Sequence, residues 1–185
     1  MDEPHCVPAN VEGWFPACLI LPSDGLNGNA DFAVLTCDGS FQFVAIPSCS
    51  GQADLRVHGG PDQAAYVYPV EHYDYWKELL QRDDLDYGQF GENFTTAGLL
   101  ENEVRIGDVF RFGKAIVQVT TPREPCGKLD MKMDDPHFKR KFKASDRSGF
   151  YLRVLQEGEV GAGDGIELIE SDSQQMTVEE MFQGL

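Results

Sequence analysis

No apolar stretch in this chain outlasts a single β-strand. The longest, Ala17-Cys18-Leu19-Ile20-Leu21, has five residues, far short of the roughly 20 that a membrane-spanning helix needs. The apolar residues come in short runs closed by Gly, Pro, Asn or Asp. Trp14 to Leu21 and Phe32 to Cys37 read as strands, and Asp38-Gly39 is a turn pair that makes Phe41 to Ile46 a hairpin partner. Further strands are expected at Ala64 to Tyr68, Ile106 to Arg111, Phe150 to Leu155 and Ile166 to Ile169. Ala115 to Thr120 alternates, with Val117 and Val119 on one face and Ile116 on the other. Pro47 to Gly51 reads as loop. Gly158 to Gly165, with four glycines in eight residues, reads as a turn-rich connection. Many short strands with glycine turns and few helices predict a mainly β fold, a closed β-barrel rather than a doubly wound sheet.

The helical signals are few. After Pro69, the residues Tyr73, Trp76 and Leu80 fall at i, i+3 and i+7, one helical face whose aromatic stripe suits core packing. Asp135-Pro136 reads as the N-cap and first residue of a short basic helix reaching about Lys143. In the tail, Thr177-Val178-Glu179-Glu180 matches a capping box. The expected organisation is a barrel domain over residues 1–170, with the start of a truncated helical appendage over 171–185.

At 185 residues, a globular chain buries roughly 70% of the surface its unfolded form exposes, so no disulfide or structural metal is needed. The formal charge is −16, which argues against a nucleic-acid binder with a broad basic face. The charge is uneven: residues 123–153 hold nine of the fifteen cations against five acids. A local cationic surface on an acidic chain suits a small anionic ligand, and a solvated helix face is the plainer reading. The start, Met1-Asp2-Glu3-Pro4, is unlike a signal peptide. Five cysteines, an odd number with no CxxC pair, point to reduced thiols and the cytoplasm.

Three segments could carry chemistry. Cys126 lies in Thr121-Pro122-Arg123-Glu124-Pro125-Cys126-Gly127-Lys128. Its loop is stiffened by two prolines, and Arg123 and Lys128 bring positive charge that favours a thiolate. Such a sulfur is a nucleophile or a ligand for a soft metal centre; an ordinary buried cysteine is the alternative. In His58-Gly59-Gly60-Pro61-Asp62, two glycines leave N–H groups open to an anion, with His58 and Asp62 as polar contacts. Phe90-Gly91-Glu92-Asn93 is either a tight turn or a place where Asn93 hydrogen-bonds a heterocycle. No GxSxG, paired zinc ligands, GxGxxG or Walker A stretch occurs.

These segments occur in order with Tyr68-Pro69, Glu71-His72-Tyr73 and Arg105-Ile106-Gly107-Asp108. Together they resemble the MOSC-domain family (molybdenum cofactor sulfurase C-terminal domain), in its YiiM-type bacterial branch. The likeness covers about residues 52–170. The resemblance implies a β-barrel related to the pyruvate kinase barrel domain, bound molybdenum cofactor (molybdopterin), and one cysteine as protein ligand to molybdenum. Cys126 matches that ligand and is the expected catalytic residue. His58, Gly59, Gly60, Asp62, Asn93 and Arg123 are the expected cofactor contacts. The implied activity is reduction of N-hydroxylated compounds such as 6-hydroxylaminopurine, a detoxification. The expected partners are that small substrate, a flavoprotein-type electron donor and a second copy of the chain. Nucleic acid and membrane are not expected. Two rival readings are a non-catalytic carrier of cofactor or sulfur through Cys126, and a metal-free cysteine nucleophile paired with His58.

Overall fold

The computed structural model describes residues 14–20, 34–35, 40–42, 61–161 and 163–185. The elements in chain order are β1 (Trp14–Ile20), β2 (Val34–Leu35), β3 (Ser40–Gln42), a 3-10 turn at Pro61–Gln63, β4 (Ala65–Pro69), α1 (Glu71–Leu80), β5 (Phe94–Ala97), β6 (Val109–Phe112) and β7 (Ala115–Pro122). Then follow α2 (Gly127–Met133), α3 (Phe138–Lys143), β8 (Phe150–Gln156), β9 (Glu159–Gly161), β10 (Gly165–Glu170) and α4 (Val178–Gln183). Mainly β with a few short helices is the expected class, and it holds. Seven strands pair in the order β1-β10-β6-β7-β8-β4-β5, and β1 also pairs with β5, which closes the ring. All pairings are antiparallel except β4 with β5, which are joined through α1 and run parallel. Among the described residues no helix is long and apolar enough to cross a membrane.

Alternation on β4 explains how the molecule is layered. All five of its residues are buried, so both faces are covered. Ala65 and Val67 join Phe94, Phe110, Phe112, Val117, Val119, Phe150, Leu152 and Ile166 inside the ring. Tyr66 and Tyr68 point the other way, into an aromatic layer with Tyr73 and Trp76 of α1, Phe90, Leu129 and Met133 of α2, and Phe138 and Phe142 of α3. The Tyr73–Trp76 stripe is therefore core, as its spacing suggests. Burying each such side chain is worth roughly 1.5–3 kcal/mol. The layer's polar tips find partners within it: Trp76 Nε1 donates to Tyr68 Oη at 2.6 Å.

Three boundaries differ from the sequence reading. The strand expected from Ile106 begins only at Val109. Gly107 turns the chain at φ 92, and the Asp108 carboxylate accepts from the Arg105 N–H at 2.8 Å, a local turn that delays pairing. The basic helix starts at Phe138 with His137 as its N-cap residue, not at Asp135. Asp135 instead closes a preceding turn, its carboxylate accepting from the His137 N–H at 2.9 Å and from Lys141 Nζ at 2.7 Å. The Gly158–Gly165 connection carries a strand, β9, which pairs with β3 in a small β2-β3-β9 sheet. Its Val160 is fully buried. A Cβ at Gly158 would sit 2.3 Å from the Lys114 carbonyl carbon, so only glycine fits where the chain crosses the β6–β7 turn.

The hairpin expected of the segments 32–37 and 41–46 is present where described, with Val34 opposite Gln42. The capping box at Thr177 and Glu180 forms as read, with both reciprocal hydrogen bonds made. A helix as short as α4 is marginal by itself. Here Val178 and Phe182 are buried, and the Val178 and Glu179 N–H groups donate to Val104 and Glu101 carbonyls.

Candidate functional site

β7 ends at Pro122, and the chain then runs through Arg123-Glu124-Pro125 to Cys126. Cys126 is extended, with φ −118 and ψ 170, and occupies the N-cap position of α2 without a side-chain cap bond. Its thiol is free and half-buried. Arg123 lies beside it. The Arg123 guanidinium sits 4.5 Å from the centre of the Tyr66 ring and donates through Nη1 to the Phe90 carbonyl. Burial opposes its charge, while the neighbouring Tyr66, Tyr151 and Cys126 more than offset that and raise its pKa. Among the described residues no carboxylate forms an ion pair with Arg123.

The Phe90 carbonyl is held in place by the turn that follows. Gly91 takes φ +82, with the Arg123 guanidinium 3.7 Å from where its Cβ would be. The Glu92 carboxylate, buried, accepts from the Gly88 N–H at 2.8 Å, the Phe90 N–H at 3.1 Å, Thr95 Oγ1 at 3.1 Å and the Tyr73 hydroxyl. Asn93 stitches this turn to β4: its Oδ1 accepts from the Tyr66 N–H at 2.7 Å, and its own N–H donates to the Tyr66 carbonyl at 2.8 Å.

Tyr66 is thus the hub. Its hydroxyl donates to the Ser148 carbonyl at 2.7 Å, and its ring lies 5.3 Å from that of Tyr151. Burial pushes the Tyr66 phenol well above the ordinary tyrosine range, against the pull of Arg123. Burial likewise raises Tyr151. Behind Ser148, the Gly149 N–H donates to Glu101 at 2.6 Å, and Glu101 also meets His72 Nε2 at 2.7 Å in a buried pair.

Of the residues singled out in the sequence, Asn93 and Arg123 therefore meet at Tyr66, and Cys126 lies within electrostatic reach of Arg123 and Tyr151. Asn93 does so through a structural bond, with its Oδ1 engaged by the backbone. Asp62 is exposed and accepts from Arg153 Nε at 2.8 Å and Nη2 at 2.6 Å; no contact ties it to Arg123 or Cys126. His58, Gly59 and Gly60 lie outside the described residues. Tyr66 and Tyr151 were not singled out. The available signal was Ala65-Tyr66-Val67-Tyr68, where polar-tipped aromatics alternate with small apolar residues on one strand.

The cations of residues 123–153 divide. Lys132 Nζ donates to the Gly88 carbonyl at 2.6 Å, and the Arg147 guanidinium stacks 3.8 Å over Tyr75. Lys141 and Arg153 pair with Asp135 and Asp62. Lys128, Lys139, Arg140 and Lys143 are exposed on α2 and α3. Among the described residues no three of His, Cys, Asp and Glu converge as a metal site would require. The donor set at Cys126 is one soft thiol next to one half-buried guanidinium. That combination fits a sulfur-ligated metal carried on an anionic organic group.

Comparison with known proteins supplies the context. A family model, the MOSC domain, matches residues 54–167. The chain is 49% identical over 129 residues to the uncharacterized protein YflK of Bacillus subtilis and 40% identical over 131 residues to protein YiiM of Escherichia coli. Each match covers 70% of this chain, and the chain spans only 58% of the length of either relative. A protein of Gibberella moniliformis described as a reductase is 35% identical over 116 residues, 61% of this chain and 21% of that one. The crystal structure of YiiM from Geobacillus stearothermophilus superposes with a TM-score of 0.65 at 40% identity, covering 68% of this chain and 64% of that one. With the family model spanning more than half of its residues, the chain belongs to the MOSC-domain family, in the YiiM-type branch.

Proposed function

We propose that this chain is the cofactor-holding core of a molybdenum-dependent reductase of N-hydroxylated compounds such as 6-hydroxylaminopurine. The observation that carries the reading is the free Cys126 thiol at the N-cap of α2, beside a half-buried Arg123 with no carboxylate partner among the described residues. A half-buried guanidinium without a carboxylate partner suits an anion. In this reading Cys126 is the metal ligand, and Arg123, with the Gly59-Gly60 segment and His58, holds the anionic part of the molybdenum cofactor, while Asp62, taken up by Arg153, has no part in it. When bound, the cofactor would supply the two-electron redox chemistry that reduces an N–OH group. The reaction balances as R–NHOH plus two electrons and two protons giving R–NH2 and water. The protein's own part is positional. The Phe90 carbonyl and the Tyr66 ring lock Arg123, and Glu92 locks Phe90. The Tyr66 and Tyr151 phenols, neutral at the ordinary tyrosine pKa of about 10 and raised further by burial, add no negative charge against an anion. The reductase description of the fungal relative supports the reading. The kinship of the barrel to the pyruvate kinase barrel domain, a further helical unit opening at residues 171–185, a cytoplasmic setting and a homodimer belong to the same proposal.

The test is Cys126→Ser. Serine keeps the size and replaces a soft, ionisable sulfur by a hard hydroxyl. Because the thiol is half-buried and makes no cap bond, the variant should fold with a change in stability below about 1 kcal/mol. It should lose molybdenum-dependent reduction of 6-hydroxylaminopurine, followed with metal analysis on freshly purified samples. Full activity in a folded Ser variant would end the ligand assignment. Retained molybdenum with no turnover in the wild-type protein would leave a carrier.

A further inference from the structure

The buried His72–Glu101 pair has no step in the reaction proposed above. Glu101 is 3% exposed and sits in the turn between β5 and β6. Its backbone carbonyl accepts from the Glu179 N–H of α4, and its carboxyl group bridges two elements. One oxygen meets His72 Nε2 of α1 at 2.7 Å, and the other accepts from the Gly149 N–H at 2.6 Å. A buried polar pair of this kind adds little stability over apolar side chains of the same size. What it supplies is an oxygen fixed opposite one N–H group. The turn it grips meets the site through three successive carbonyls. The Arg147 carbonyl accepts from the Tyr68 hydroxyl at 3.3 Å, that of Ser148 from the Tyr66 hydroxyl at 2.7 Å, and that of Gly149 from the Arg123 N–H at 3.4 Å. A Cβ at Gly149 would stand 2.3 Å from the Val67 carbonyl oxygen and 2.8 Å from the Tyr66 ring, so the turn lies hard against β4. Asp146, in the same turn, takes a left-handed φ of 56, a conformation that a residue with a side chain keeps where its surroundings enforce it.

We propose that Glu101, oriented by His72, is a positioning residue of the site: by holding the Gly149 N–H it fixes the turn that carries Tyr66 and Arg123, and so sets where the guanidinium stands over the Tyr66 ring and how firmly an anion is held there. The inference rests on the reading of Arg123 as the anion holder. Arg123 then has two separate supports. The Phe90 carbonyl, under the control of Glu92, takes its guanidinium, and the Gly149 carbonyl, under the control of Glu101, takes its backbone N–H. His72 matters because a carboxyl group with one oxygen committed to a ring nitrogen has its other oxygen fixed in direction.

The test uses the full chain and two variants. Glu101→Asp keeps a carboxyl group but withdraws it by one C–C bond, about 1.5 Å, so that it no longer bridges His72 and Gly149. Glu101→Gln keeps an acceptor oxygen for the Gly149 N–H, and its NH2 group can donate to a neutral His72 ring nitrogen. NMR on protein without added cofactor reads the Arg123 side-chain protons, which the Tyr66 ring, 4.5 Å from the guanidinium, should displace upfield. The Asp variant should lose that displacement and exchange its Gly149 amide proton about tenfold or more faster, while signals from β6 and β10 stay unmoved. The Gln variant should keep the wild-type values. Wild-type Arg123 shifts in the Asp variant, their loss in the Gln variant, or changes spread evenly over the barrel would each overturn the proposal. If the Asp variant does not fold, exchange in the wild-type protein decides: a protected Gly149 amide supports the proposal, and one exchanging as fast as exposed amides overturns it. Molybdenum retained per protein should fall in the Asp variant and hold in the Gln variant; equal retention by all three proteins would overturn the claim that this placement sets the hold on an anion. Wild-type protein that retains no molybdenum sinks the cofactor reading, while the NMR result still decides the positioning.

Discussion

Glu92 organises the turn beneath the site, and truncating it should cost more stability than any exposed substitution. Its side chain, 6% exposed, accepts from four donors: the Tyr73 hydroxyl, the Gly88 N–H, the Phe90 N–H and Thr95 Oγ1. In Glu92→Ala the Tyr73 and Thr95 hydroxyls and the Phe90 N–H, all buried, lose this acceptor. A hydrogen bond to a charged group is worth about 1.5–3 kcal/mol, but removing a buried carboxylate also returns part of its desolvation cost. The balance is a loss of about 3–5 kcal/mol. For a chain of this size each kcal/mol moves the melting midpoint by about 2–4 °C, so a fall of roughly 6–20 °C is expected. Glu92→Gln keeps the shape but turns an NH2 group toward donors, and should lose about 1–3 kcal/mol. Urea unfolding and calorimetry of the three proteins measure this. A Glu92→Ala variant within about 1 kcal/mol of wild type would refute the claim that this carboxylate holds the Phe90 carbonyl, and with it Arg123, in place.

Arg123→Ala should lower the molybdenum retained per protein and make retention more sensitive to salt; equal occupancy after gel filtration at low and high ionic strength would argue against an anion held there. At alkaline pH the buried tyrosines set the limit. Burial, foremost, raises the Tyr66, Tyr68 and Tyr73 phenols above their ordinary value. Their folded pKa values exceed the unfolded ones, so the stabilisation is complete below pH about 10 and is lost as pH rises beyond it. These three of the six tyrosines should ionise only on unfolding, so that at least half of the rise in tyrosinate absorbance coincides with the loss of circular dichroism; early titration of all six in folded protein would contradict their burial.

The sequence alone determined what depends on neighbours a few residues apart. Strand-sized apolar runs imposed a β fold, because pieces that short cannot make buried helices. The spacing of Tyr73 and Trp76 made α1, and Thr177 with Glu180 made the capping box of α4, each through contacts within one or two turns. The Pro122–Lys128 loop announced itself by its own prolines, cysteine and charges. Tertiary structure decided the rest. β9 became a strand only because Val160 found the core and β3 lay alongside. Asp135 closes a turn rather than beginning a helix, its carboxylate taken by the His137 N–H and by Lys141. Asn93 reads from sequence as a ligand contact or a turn residue, and its partner is the backbone of Tyr66, 27 residues away. Tyr66 became the hub of the site because β4 lies between two cores, and which face of a strand meets a second layer is set by elements far along the chain, not by the strand's own residues.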